Sequence, residues 1–122
     1  PIVLEEAPPE LALFAIRPAW VRIRSGDGDV IFEKILDAGE EYVLPQTEVA
    51  PVLRAGMSGS IYFKVNGQLY GPAGKKTSTI KNVSLSILAV TERYAKADVT
   101  LDPVLARMLA LAKTQDEEQL DE

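Results

Sequence analysis

The chain has 122 residues, 47% of them apolar and 25% charged, with eight glycines and eight prolines. That length suits one domain and is short for two separate cores, and the composition excludes wholesale disorder. With no cysteine and no histidine, a disulfide, a thiolate metal site, a cysteine nucleophile and an imidazole base are all excluded. The lack of cysteine leaves the compartment open, because an exported domain with an adequate core needs no disulfide. Of the net charge of −5, five acids (Asp116, Glu117, Glu118, Asp121, Glu122) stand in the last seven residues, and the other thirteen balance thirteen Lys and Arg. A domain neutral without its tail offers no basic face for a phosphate backbone, so no direct nucleic-acid binding is expected. No apolar run approaches the roughly 18 residues of a membrane span, and the first residues lack the layout of a signal peptide. The chain reads as soluble, and its start at Pro1 suggests a piece cut from a longer protein.

Pro1 to Glu10 is rich in proline and glutamate and reads as an extended tether. From Leu11 short β-type runs follow one another: Leu11 to Arg17, Trp20 to Arg24, Val30 to Leu36, Glu41 to Leu44, Val52 to Ala55, Ser60 to Val65, Gln68 to Tyr70 and Val83 to Val90. Turn signals close them: Ser25 to Asp29 as a hairpin loop, Asp37 to Glu40 as a turn, and Asn66-Gly67 as a two-residue turn at positive φ. The pattern predicts an all-β domain over 11–101, an antiparallel sandwich or flattened barrel of about seven to eight strands. A two-residue loop at Asn66-Gly67 pairs Val65 with Gln68, Lys64 with Leu69 and Phe63 with Tyr70. Ile61, Phe63, Val65 and Tyr70 then face the core, and Tyr62, Lys64 and Leu69 share the other face, where Leu69 is either exposed or covered from outside the sheet.

Asp102-Pro103 opens a helix, with the aspartate as cap and the proline in the first turn, where its missing N–H costs nothing. The helix, assigned to 102–114, carries Val104, Met108 and Leu111 on one stripe and Leu105, Leu109 and Ala112 on the next. This broad apolar face needs cover, and packing on the domain is expected. Residues 115–122 form an acidic, solvated tail.

Few residues invite chemistry. Gly71 to Thr77 has glycines, lysines and a threonine, but two residues rather than four separate the glycines and Lys75 is followed by Lys76, so it reads as a turn and not a phosphate loop. Asp27 and Asp29 lack the further ligands of a calcium loop. Glu33, Asp37, Glu40, Glu41 and Glu48 border turns without a recognisable catalytic pair, and Ser58 and Ser60 belong to no Ser-x-x-Lys motif. No catalytic residue, metal site or cofactor follows. Trp20 alternates with Arg22 and Arg24 opposite Val21 and Ile23. Either Trp20 packs in the core with the arginines along its edge, or the three form a recognition surface. The candidate interaction residues are Trp20, Arg22, Arg24, Tyr62, Lys64 and Leu69.

The segments Arg17-Pro18-Ala19-Trp20-Val21-Arg22-Ile23-Arg24, Asp27 to Glu33 and Leu36 to Tyr42, continuing through Pro51 to Gly56, Ser58 to Phe63 and Val65 to Gly67, resemble the C-terminal domain of RodZ-type bacterial cell-shape proteins. The resemblance covers about Trp20 to Leu85. It implies a non-catalytic domain on the periplasmic side of the cytoplasmic membrane, attached through an upstream membrane helix to a cytoplasmic helix-turn-helix domain. It implies cell-wall elongation proteins as partners here, and the MreB filament as partner of the cytoplasmic part. The alternative is a carbohydrate- or peptidoglycan-binding module. An exposed row of aromatics marks the sugar module, and a mixed apolar and charged patch marks a protein partner.

Overall fold

The computed structural model describes residues 10–110. Eight strands form two antiparallel four-stranded sheets, which makes the fold an open sandwich rather than a closed barrel. The strands are β1 (Leu11–Ala15), β2 (Ala19–Arg24), β3 (Val30–Leu36), β4 (Glu41–Val43), β5 (Val52–Ala55), β6 (Ile61–Val65), β7 (Gln68–Tyr70) and β8 (Ile80–Ser84). One sheet has the order β4-β1-β6-β7 and the other β3-β2-β5-β8. The 3₁₀ turn Ser58–Ser60 precedes β6, α1 spans Ile87–Arg93, and residues 103–110 are helical.

Alternation fills the space between the sheets. Leu11, Leu13, Ala15, Ile61, Phe63 and Val65 point inward from one sheet, and Val21, Ile23, Leu53, Ala55 and Val83 from the other. The β6-β7 register is the one the Asn66-Gly67 turn predicts, with Phe63 opposite Tyr70, Lys64 opposite Leu69 and Val65 opposite Gln68. Both turn residues have positive φ, 50° and 86°, which suits a two-residue hairpin loop. Asp37 to Glu40, in contrast, carries the chain from one sheet to the other, because β4 pairs with β1. Phe32 and Tyr42 stack beside this crossing, ring centroids 3.8 Å apart.

The expected strand Val83 to Val90 is corrected. Strand β8 ends at Ser84, and α1 follows. Ser86 Oγ accepts the Ala89 N–H at 3.1 Å and caps the helix. Ile87, Val90 and Tyr94 stand at helical spacing and reach the main core. The alternating Val83 and Leu85, which are both buried, make the segment look extended only up to this cap.

A second apolar cluster lies on the outer face of the β4-β1-β6-β7 sheet. Leu105 of the 103–110 helix is fully buried there with Ile16, Tyr62 and Leu69, flanked by Phe14, Ala97, Val104 and Met108. Asp102 caps this helix by accepting the Val104 N–H at 2.9 Å. Glu10, placed in the tether, exchanges two bonds with Asn66 across the end of β6. Pro1 to Pro9, the expected helix end with Leu111 and Ala112, and the acidic tail lie outside the described residues.

Candidate functional site

The six candidate interaction residues do not form one surface. Trp20, Arg22 and Arg24 lie on the outer face of the β3-β2-β5-β8 sheet, while Tyr62, Lys64 and Leu69 lie on the outer face of the opposite sheet. Tyr62 and Leu69 are only 3% and 8% exposed under the 103–110 helix, so they are closed to a partner in this conformation. Burial raises the Tyr62 phenol above its usual range, with Asp102 adding to the effect. Lys64 stays half-exposed and pairs with Glu41 at 3.3 Å.

Trp20 is outside the core. A strand that buries Val21 and Ile23 completely must send Trp20, Arg22 and Arg24 to its other face. Glu33, directly across from Arg22, joins the group. Its Oε2 accepts Trp20 Nε1–H at 3.1 Å and an Arg22 N–H at 3.3 Å. These bonds, that from Arg22 first, hold the Glu33 carboxyl below its usual range. The Arg22 guanidinium carbon lies 5.1 Å from the Trp20 ring centroid, a cation–π distance. Arg24 donates to the Gly28 carbonyl at 2.9 Å. On the other side Arg22 stands directly across from Arg54, and these two line a small cleft of about 130 Å³ with Arg24 and Lys81. Ile35, 58% exposed and paired across from Trp20, completes an aromatic, aliphatic and basic face.

Arg54 and Ile35 escaped the sequence reading, which weighed Glu33 only as a possible catalytic carboxylate and not as a partner of Trp20 and Arg22. Counting back from the Ser25 to Asp29 loop could have placed Glu33 near Arg22, but a register shift between Ile23 and Arg24 hides the pairing.

The other polar residues are taken up by structure. Glu40 accepts the Asp37 amide and pairs with Lys34. Ser25 and Asp29 bond to each other across the hairpin loop. The buried Ser58 donates its hydroxyl to the Ser78 carbonyl at 2.7 Å. Gly71 to Thr77 packs over this serine, so closely that a Cβ at Gly74 has no room. Among the described residues no group of three carboxylates gathers as a metal site would need, and no helix is long and apolar enough to cross a membrane.

An open two-sheet sandwich with one mixed outer face defines a small antiparallel β-domain. The family model of the RodZ C-terminal domain matches residues 12–84, more than half of the chain, and the chain belongs to that family. The family is associated with cell shape and is not enzymatic. No curated protein and no solved structure matches the chain.

Proposed function

We propose that this domain is a periplasmic interaction module of a single-span membrane protein that helps organise bacterial cell shape and wall elongation. In this reading an upstream helix anchors it in the membrane, a cytoplasmic helix-turn-helix part meets the MreB filament, and this domain meets cell-wall elongation proteins. Family membership supports the setting. The observation that carries an interaction role is the outward placement of Trp20 against Arg22 and Glu33, beside the exposed Ile35. Trp and Arg are the side chains most often found at energetic centres of protein interfaces. A sugar-binding face needs a row of exposed rings, and on this face Trp20 stands with an aliphatic residue and arginines instead.

Binding of the purified domain to the periplasmic parts of wall-elongation proteins tests the reading. Trp20→Ala and Arg22→Ala should each weaken the complex about tenfold or more, the scale of an interface hot spot. Binding by neither variant nor parent, or equal binding by all three, would refute it. A reporter active only outside the cytoplasm, fused to the C-terminus of the full-length protein, tests the compartment.

A further inference from the structure

The two sheets have four outer strands, and three of them are protected. Beside β7 runs the segment 95–97, with the Gly71 N–H bonded to the Ala95 carbonyl at 3.0 Å and the Ala97 N–H to the Leu69 carbonyl at 2.9 Å. Strand β8 is broken by a register shift and by Asn82 at φ 57°. Strand β4 has three residues. Strand β3 is longer: it has seven residues, its bulge falls at Ile31 near its start and leaves Phe32 to Leu36 in regular register with β2, it pairs only with β2 among the described residues, and it exposes Val30, Ile31 and Ile35 by 47%, 40% and 58%. Natural sheets normally blunt such an edge along its length; here the bulge sits at one end, and Lys34 alone charges the inner side of the regular stretch.

The backbone direction of this edge follows from one bond. The Gly56 N–H donates to the Trp20 carbonyl at 3.0 Å, so the peptide groups of Trp20 face β5. In an antiparallel sheet a residue's N–H and C=O point to the same side, and successive residues alternate. Val21 therefore faces β3 and bonds with Lys34, its partner in the register. Glu33 and Ile35, one position to either side of Lys34, turn their N–H and C=O groups outward to the free edge. Beside the start of β3 lies a groove of about 410 Å³ lined by Ile31, Tyr42 and Val49 among others, which can receive a side chain.

We infer that β3 is a docking edge that takes up an extended segment of a different protein as a ninth strand. A second copy of this chain fits poorly. Within β3, the antiparallel registers that pair both Glu33 and Ile35 place either Glu33 opposite Glu33 or Lys34 opposite Lys34, and like charges directly opposite are destabilising. A foreign segment escapes both clashes with a cation opposite Glu33, an acid opposite Lys34 and aliphatic residues opposite Ile31 and Ile35. Main-chain bonds then supply affinity and alternate side chains supply selectivity. The inference deepens the interaction reading and rests on it for the kind of partner.

The test uses an end-capped peptide, Thr-Val-Glu-Lys-Thr-Val-Thr, titrated to about 1 mM into the isotope-labelled domain. Amide shifts and slowed exchange should appear at Glu33 and Ile35 and spare β4, β7 and β8. N-methylation of the peptide residues that bond to the edge should weaken binding about tenfold per lost bond. Ile35→Pro removes an outward N–H without touching the β2 ladder and should do the same, and Ile35→Lys serves if the proline variant does not fold. Shifts at another edge, no shifts at all, or binding indifferent to N-methylation overturn the inference. Concentration-dependent dimers of the domain alone, abolished by Ile35→Lys, overturn it in favour of a second copy. Partner binding that needs Trp20 but ignores both Ile35 variants overturns the edge and leaves the interaction reading standing. Peptide binding at the edge with no wall-elongation protein bound upholds the edge and defeats that reading.

Discussion

Arg17 and Asp102, 85 positions apart in the chain, are joined by two parallel hydrogen bonds of 3.0 and 2.9 Å. The same aspartate caps the 103–110 helix through the Val104 N–H. One side chain thus starts a helix and pins its start to the end of β1, above the cluster that Leu105 completes. Asp102→Ala should destabilise the domain by about 1–2 kcal/mol, the usual cost of a lost cap. Arg17→Ala should cost less, within about 1 kcal/mol, because the guanidinium is 40% exposed and its pairing is screened by water. Urea unfolding of both variants measures the difference.

The same pair makes part of the stability depend on acid. The bonds from Arg17, more than those from the helix amides, hold the Asp102 carboxyl below its ordinary range in the folded protein. A folded pKa below the unfolded one means that the contribution is complete above the unfolded value and is lost as pH falls through the folded value. Glu33, Glu40 and Asp98 are lowered too and act with the same sign. The domain should therefore lose stability as pH falls below the ordinary carboxylate range of about 4, and Asp102→Asn should lose less on that acid side than the parent. Equal acid losses in both proteins would exclude Asp102 as a contributor.

Phe63 and Lys64 are neighbours on β6 with opposite surroundings. Phe63 is fully buried, 4.9 Å from the Tyr94 ring, whereas Lys64 lies half-exposed near Glu41. Phe63→Ala should cost about 3–5 kcal/mol, and Lys64→Ala should stay within about 0.5 kcal/mol. Denaturant midpoints of the two variants check the facing of the strand.

Leu105 closes the second cluster, so Leu105→Ala should cost about 2–5 kcal/mol and uncover Tyr62 and Leu69. Binding of a dye specific for apolar surface should rise with it. Amide exchange across 104–110 should be slow in the parent and fast in the variant. Rapid exchange in the parent would mean that the helix spends its time off the sheet.

Ser86 tests the boundary between β8 and α1. Ser86→Ala removes the bond to the Ala89 amide and should cost about 0.5–2 kcal/mol. The loss of helical signal should be confined to Ile87–Arg93, the span of α1.

What could be read from the chain alone was decided over a few residues. Asn66 and Gly67 accept positive φ, and that local preference set the register of β6 and β7 and the facing of Phe63 and Leu69. Asp102-Pro103 likewise announced a helix start through capping chemistry. Alternation in β2 separated Trp20 and Arg22 from Val21 and Ile23, although it could not say which face was the core. Tertiary structure answered that: the space between two sheets is only about 10 Å deep, and Val21 and Ile23 fill it while Trp20 leans on Arg22 and Glu33 outside. Ile87 to Val90 followed the same logic, because an apolar run continuing a strand suits either state until Ser86 caps a helix and Val90 finds the core. The protection of three edges and the openness of β3 lie furthest from the sequence, since sheet order is set by contacts between strands far apart in the chain.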